Sequence, residues 1–303
     1  MLDLNSSDFT IDIGLGIYNE EKLISRMLDS IMQQTHSNFR LIISDDCSTD
    51  QTYSICQKYK INDHRIELYK QEGNIGVSNN LAFLFNKSKN NFFIYLAGDD
   101  YLSKDYLEVN LRNLIKNPTS SCSASKNIWD NQDKMIKKNW VDISIEGNFF
   151  ERINKFFDYS FLLTAMNYAI YRRNIMQTCP NLSKKFLGHD WKIMTHALSK
   201  GSFVRSEDGY IVLGRGGISS APGFMQREVN IFIEHIFPLY EYSMYFINNI
   251  LRSEQLSFFQ RFKLISKLIK INMYFQFLKF LNIFKVLIRG IKHHKIGSAY
   301  IKK

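Results

Sequence analysis

Cysteine is scarce in this chain, and the few residues present stand apart. Cys47, Cys56, Cys122 and Cys179 are the only four among 303 residues, and none forms a CxxC pair. That spacing excludes a disulfide or zinc framework and reads as reduced thiols in a cytoplasmic protein. The opening residues, Met1 to Ser7, lack both a basic region and an apolar core, so no secretory signal is expected. No internal repeat is present. Disorder is disfavoured by a composition that is 45% apolar, with 24 Phe and 16 Tyr to fill a core. The length allows one large domain with an appendage, or two modest domains. Acid is missing from one end. Between Arg252 and Lys303 stand twelve Lys or Arg and a single acid, Glu254; of the net +10 this tail carries +11, leaving −1 for residues 1–251. The basic balance therefore belongs to the tail and points to an anionic partner: membrane, nucleic acid or an acidic protein.

Up to Pro118 the chain alternates strand and helix. Thr10 to Ile17 reads as a strand, and Tyr18-Asn19-Glu20-Glu21 as a turn with acids suited to a helix start. Leu23, Ile24, Met27, Leu28 and Ile31 then recur at helical spacing. Further strands are expected over Phe39 to Ser44, Ile66 to Tyr69 and Phe92 to Leu96, with helices between them; Asp50 is a good N-cap. This order implies a mainly parallel sheet with helices on both faces. Residues 120–150 read as polar and irregular, Asn167 to Tyr171 as a strand, His189-Asp190-Trp191 as a helix start and Tyr210 to Leu213 as a strand. Beyond Gly223 only aromatic-rich helices are expected.

Two of the strands end in acid pairs. Phe39 to Ile43 runs into Ser44-Asp45-Asp46-Cys47-Ser48-Thr49-Asp50, and Phe92 to Leu96 runs into Gly98-Asp99-Asp100-Tyr101. Each pair alone also suits turn and capping chemistry. Both together, at the carboxyl ends of strands in one α/β frame, indicate a single site at the sheet edge where ligands bind. Adjacent carboxylates repel unless a cation or hydrogen bonds take up the charge, so a hard divalent cation and a nucleotide fit them.

In this order the motifs resemble the inverting nucleotide-sugar glycosyltransferases of family 2, which have the GT-A fold. The likeness covers roughly residues 9–220. It rests on Tyr18-Asn19-Glu20, Ser30-Ile31 with Gln33-Gln34-Thr35, the Ser44 to Asp50 motif, Asn74 to Ser78 with Asn80, Gly98-Asp99-Asp100 and His189-Asp190-Trp191. The resemblance implies an α/β, Rossmann-like GT-A domain over 1–222 and a basic, aromatic-rich helical region over 223–303. It implies a nucleotide site of Tyr18, Asn19, Glu20, Asp46, Asn74, Asp99 and Arg215. Tyr18 would stack on the base, and Asp46 would accept from a base N–H. Asp100, with Asp99, would hold Mg²⁺ or Mn²⁺ against the diphosphate. Asp190 would be the general base on the acceptor hydroxyl, with His189 or Asp158 next in line. Gly98 leaves this metal motif one acid short of the family's. Arg215-Gly216-Gly217 stands where many relatives carry an Arg and a His. The expected partners are a nucleotide-sugar donor and a glycan or lipid-linked glycan acceptor in cell-surface polysaccharide synthesis, and no nucleic acid. A nucleotidyltransferase would also use strand-end acids, but Tyr18-Asn19-Glu20-Glu21 lacks its Gly-rich basic loop; a nucleic-acid-binding protein would use the tail.

On a helical wheel Lys263, Lys267, Lys270, Lys285, Arg289 and Lys292 share one arc, and apolar residues such as Phe262, Ile265 and Leu268 cover much of the rest. The tail's longest uncharged apolar stretch, Ile271 to Leu278, is too short to span a bilayer. Two readings stay open: an appendage packed on the catalytic domain with a solvated basic face, or a helix lying on the inner face of the cell membrane.

Overall fold

The structure, a computed structural model, describes residues 8–131, 134–136, 143–160, 164–184, 186–214 and 237–278. Strand β1 (Ile11–Ile17) is almost wholly buried. Helix α1 (Ile24–Met32) buries Ile24, Met27, Leu28 and Ile31, the helical stripe read from the sequence. There follow β2 (Phe39–Asp45), α2 (Thr52–Asn62), β3 (Ile66–Lys70), α3 (Val77–Lys87), β4 (Phe92–Ala97), β5 (Tyr101–Leu102) and α4 (Tyr106–Lys116). β1 lies between β2 and β4, parallel to both, and β3 adds in parallel outside β2. Such strands need apolar cover on both faces. Ile13, Leu15, Ile43 and Ile94 pack with Met27 and Leu28 of α1 and Leu107 and Leu111 of α4 in one cluster, while Phe93 meets Phe85 of α3 in the other.

Beyond α4 the sheet becomes mixed. β6 (Ser120–Asn131), β7 (Lys134–Ile136), β8 (Ile170–Arg172) and β9 (Ser202–Leu213) extend it. Among the described residues the order is β3-β2-β1-β4-β8-β6-β9-β5, with β7 on β6. β8 is antiparallel to β4 and β6, whereas β6 and β9 are parallel. The irregular stretch expected over 120–150 is corrected here: its first part is a 12-residue strand. Its serines hide it. Ser121 Oγ donates to the Ser202 carbonyl (3.0 Å), Ser123 Oγ to Asn110 Oδ1 (3.0 Å), and Asn110 Nδ2 to Ser125 Oγ (2.7 Å). Buried hydroxyls with partners are tolerated in a sheet and leave no apolar pattern to read. The strand expected over Asn167 to Tyr171 is likewise corrected: a tight 3₁₀ turn, Thr164–Tyr168, leads into a shorter β8.

The remaining helices are α5 (Phe149–Tyr159), α6 (Arg173–Gln177), α7 (His189–Lys200), α8 (Tyr240–Phe246) and α9 (residues 258–278). Asn148 and Glu151 form a capping box at the start of α5. Trp191 of α7 gathers this layer. Its ring meets Phe156 of α5, Tyr242 of α8 and Phe275 of α9 edge-on at 5.8, 5.9 and 5.8 Å. Leu264, Leu268 and Ile271 of α9 are buried in the same core. The basic arc of α9 is not simply solvated, because two of its lysines turn to α5. Lys267 Nζ lies 2.5 Å from Asp158, and Lys263 sits over the Phe150 ring. Lys285, Arg289 and Lys292, and the boundary expected at 222/223, lie outside the described residues.

Candidate active site

β1, β2 and β4 end side by side, and the turns that leave them are tied together. Asn19, in the left-handed region at φ 55°, donates from its backbone N–H to Ser48 Oγ (3.0 Å) and accepts the Thr49 N–H at its side chain (2.8 Å). Glu20 N–H donates to Thr52 Oγ1 at 2.7 Å. Asp50 accepts from Thr52 N–H (3.0 Å) and from Glu21 N–H (3.2 Å), but the N-cap position expected for it is held by Gln51. The first two strand ends therefore form one rigid lip.

Asp45 and Asp46 are both satisfied within it. Asp45, fully buried, accepts from Ser48 N–H and Ser48 Oγ. Asp46 accepts from Ile75 N–H (2.7 Å) and Gly76 N–H (2.9 Å), clamping the loop that carries the exposed Asn74 against β2. Each carboxylate oxygen keeps a further lone pair. Tyr18, 42% exposed, stands at the rim.

The acids after β4 differ. Asp99 and Asp100 are almost fully buried. Asp100 Oδ1 accepts the Gly214 N–H at 2.9 Å, but Oδ2 is buried with no partner at hydrogen-bond distance. Glu20 Oε2 is buried in the same condition. Its carboxyl fills the space over Gly98: a Cβ there would fall 1.8 Å from Glu20 Oε2. Gly214 is equally confined, since a Cβ would lie 2.3 Å from the Asp99 carbonyl. Burial, with repulsion from Asp99 and then Asp100, pushes the Glu20 carboxyl up to about 9. Burial and Asp99 push Asp100 up to about 7, against the Gly214 N–H and the nearby Tyr168 hydroxyl. Such shifts mark negative charge that the protein leaves under-compensated. Among the described residues no three His, Cys, Asp or Glu side chains are arranged to hold a metal ion by themselves.

Asp190 opens α7 in its first turn. It is exposed to solvent, yet the protein crowds it from several sides and desolvation raises its pKa, against stabilisation by the Trp191 N–H and the Asn167 side chain. Its neighbour His189 is committed elsewhere: Nε2 lies 2.7 Å from the Leu182 carbonyl, and burial holds its pKa down to about 4. Asp158, paired with Lys267, is no free base either. Arg215 lies outside the described residues.

Four residues at the site escaped the sequence reading. Asn167 and Tyr168, neighbours in the 3₁₀ turn, act on Asp190 and Asp100 respectively. Tyr95 sits mid-strand in an apolar run, yet its hydroxyl lies 2.6 Å from where a Gly16 Cβ would stand, and Glu20 and Asp46 raise its pKa further once burial has done so. Arg26, which reads as an ordinary helix residue, donates to the Asp99 carbonyl (3.1 Å) and lies over the Tyr101 ring.

Known proteins resemble this chain in sequence and in fold. The glycosyltransferase GlyA of Streptococcus pneumoniae is 31% identical over 109 residues, covering 36% of this chain and 16% of its own length. The poly(ribitol-phosphate) β-N-acetylglucosaminyltransferase TarS of Staphylococcus aureus is 35% identical over 95 residues, covering 30% of this chain and 16% of its own length. The chain thus spans a small part of these curated relatives. A crystal structure of S. aureus TarS residues 1–349 with UDP-GlcNAc aligns at a TM-score of 0.57, with 19% identity over 86% of this chain and 79% of that one. The mannosyltransferase PcManGT of Pyrobaculum calidifontis, solved with GDP-Man and Mn²⁺, aligns at 0.52 with 14% identity over 85% and 73%. These likenesses establish the GT-A fold. The model of glycosyl transferase family 2 matches residues 12–179, a span holding both acid-ended strands and the turn that faces Asp190. That span is more than half of the sequence, and the chain belongs to glycosyl transferase family 2.

Proposed function

We propose that this chain transfers a sugar, with inversion, from a nucleotide diphosphate to a hydroxyl of a glycan acceptor in cell-surface polysaccharide synthesis. One observation carries the reading. A single five-residue turn sets Asn167 beside Asp190 and Tyr168 beside Asp100, so one element links an accessible base to the buried acid pair. Asp190, with its pKa raised by desolvation, takes the acceptor proton as that oxygen attacks the anomeric carbon. One displacement of this kind inverts the configuration. Tyr18 offers its exposed ring to the base, and Asp46 offers its remaining lone pairs to a base N–H. Asn19, Glu20, Asn74, Asp99 and Arg215 complete the nucleotide site.

The residues fit a divalent cation, Mg²⁺ or Mn²⁺. The buried, unpartnered oxygens of Asp100 and Glu20 would gain from one, which would also favour the ionised form of both groups. Asp100 and Asp99 would hold it, with the diphosphate completing the set. When bound, such an ion neutralises the charge that grows on the leaving diphosphate. Two structural neighbours were solved with nucleotide diphosphate sugars, UDP-GlcNAc and GDP-Man, which supports the donor class. Residues 1–222 form the catalytic domain on this reading. Residues 223–303 form a helical region that binds the inner face of the cell membrane peripherally. Among the described residues no helix is long and apolar enough to cross a membrane.

The test is nucleotide release from a panel of uridine, guanosine and thymidine diphosphate sugars, with Mn²⁺ and with EDTA, followed by NMR of the transferred anomer. Release that needs the ion, and an inverted product, are expected. A retained anomer, or turnover of none of the panel with any acceptor, overturns the proposal.

A further inference from the structure

Helix α9 has three distinct faces. One holds it to the protein through Leu264, Leu268, Ile271 and Phe275. Another is turned to solvent: Phe258, Phe262, Ile265, Ile269 and Met273 are 77, 66, 39, 53 and 66% exposed. On a helix these positions form one continuous stripe about 22 Å long. Single exposed apolar side chains are ordinary, but an unbroken row of this length marks a contact surface. The third face is a row of Lys263, Lys267 and Lys270 along one edge of the stripe, and residues 258–278 contain no acid.

We propose that this stripe lies at the headgroup boundary of an anionic bilayer, with the exposed Lys270 at its edge against lipid phosphates. The proposal rests on the membrane reading above and assigns the contact to one face of one helix. Two observations orient it. The Lys267–Asp158 pair and the Lys263–Phe150 contact fix the roll of α9, so the stripe cannot turn inward. The core contacts lie on the opposite side, so the stripe is not needed for folding. Charge selects the occupant. A second copy docked stripe to stripe would bring a second Lys270 and no acid from α9 to meet it. An anionic surface supplies the missing sign, and residues 279–303 add seven more Lys or Arg without an acid.

The experiment is flotation of the full chain at low salt with phosphatidylglycerol–phosphatidylcholine vesicles, and with phosphatidylcholine alone. The variants are Phe262→Ser/Ile269→Ser/Met273→Ser and, separately, Lys270→Gln. The wild type should float with the anionic vesicles. The triple variant should lose at least about ten-fold in partitioning, and Lys270→Gln about five-fold. Nucleotide release from the donor should stay unchanged in both. Should the triple variant misfold, as judged by thermal melting, Lys270→Gln alone decides the outcome. Variants that float like the wild type overturn the assignment to this face while the membrane reading stands. A wild type that ignores anionic vesicles overturns both. A wild-type dimer that the triple variant converts to monomer, without vesicle binding, gives the stripe to a second copy and also overturns the proposal.

Discussion

Replacing Glu20 with Gln isolates the charge imbalance at the centre of the site. In the folded chain burial, reinforced by Asp99 and Asp100, moves this carboxyl from 4.5 to about 9. An acid whose folded pKa is raised binds its proton more tightly when folded. It therefore costs stability progressively as pH rises from the unfolded value toward 9. A full proton difference is worth about 1.4 kcal/mol per pH unit, so the ceiling near pH 7 is about 3 kcal/mol. Side-chain relaxation and water entry lower this, and about 1–2 kcal/mol is the expected net effect. Gln keeps the volume over Gly98 and cannot ionise. In EDTA, Glu20→Gln should be more stable than the wild type at neutral and alkaline pH, with the gap closing toward pH 5. His189 and His196, both held down to about 4, stay neutral in the fold. Their contribution is lost as pH falls below 6.5 in both proteins, so the difference between the two is the clean quantity. Urea unfolding at a series of pH values measures it. Saturating Mn²⁺ should narrow the gap by favouring the ionised Glu20. A gap that does not depend on pH, or one that widens toward acid, refutes the reasoning.

Four further outcomes are expected. Asp100→Asn should cut nucleotide release by about 10²–10³-fold with the circular dichroism unchanged, and wild-type activity in EDTA would sink the metal reading. Asp190→Asn should abolish transfer while calorimetry finds nucleotide affinity within a few-fold of wild type; transfer at the normal rate places the base elsewhere. Gly98→Ala should cost about 1–3 kcal/mol in denaturant melts because its Cβ would fall 1.8 Å from Glu20 Oε2, and much less in a Glu20→Ala background. Additive effects would show that the two residues do not compete for space. Ending the chain at Arg252 should give aggregate, read by size-exclusion chromatography. The cut removes Leu264, Leu268 and Ile271, each worth about 1.5–3 kcal/mol of burial, and uncovers Trp191; a soluble, active product would contradict that packing.

The parallel half of the fold was legible because its strands and helices follow simple periods. Ile24, Met27, Leu28 and Ile31 recur at helical spacing and are the buried face of α1. The rest was obscured by polar chemistry that only tertiary contact completes. β6 contains Ser120, Ser121, Ser123 and Ser125, whose partners lie on α4 and β9, so nothing local marks a strand. Half of the tail's basic arc, Lys285, Arg289 and Lys292, lies outside the described residues. In the other half Lys270 is exposed, while a long aliphatic stem lets Lys267 cross to Asp158 and Lys263 to Phe150, contacts that spacing alone does not show.

The two acid pairs are alike in sequence and opposites in structure. What separates them is the supply of backbone donors. Asp45 and Asp46 receive N–H groups from Ser48, Ile75 and Gly76, so their charge is met by the protein itself. They make the second strand end a rigid brace. Asp100 receives one N–H, from Gly214, and its other oxygen is left bare beside Asp99 and Glu20. No local pattern distinguishes these cases, because the deciding donors stand 29 residues from Asp46 and 114 from Asp100. A carboxylate pair whose charge its fold has already met braces the loop it holds and offers a ligand only its remaining lone pairs. A buried carboxylate with an oxygen its fold has left without a hydrogen-bond partner, as in Asp100, is where a cation would gain the most. That difference separates the brace after β2 from the acids after β4.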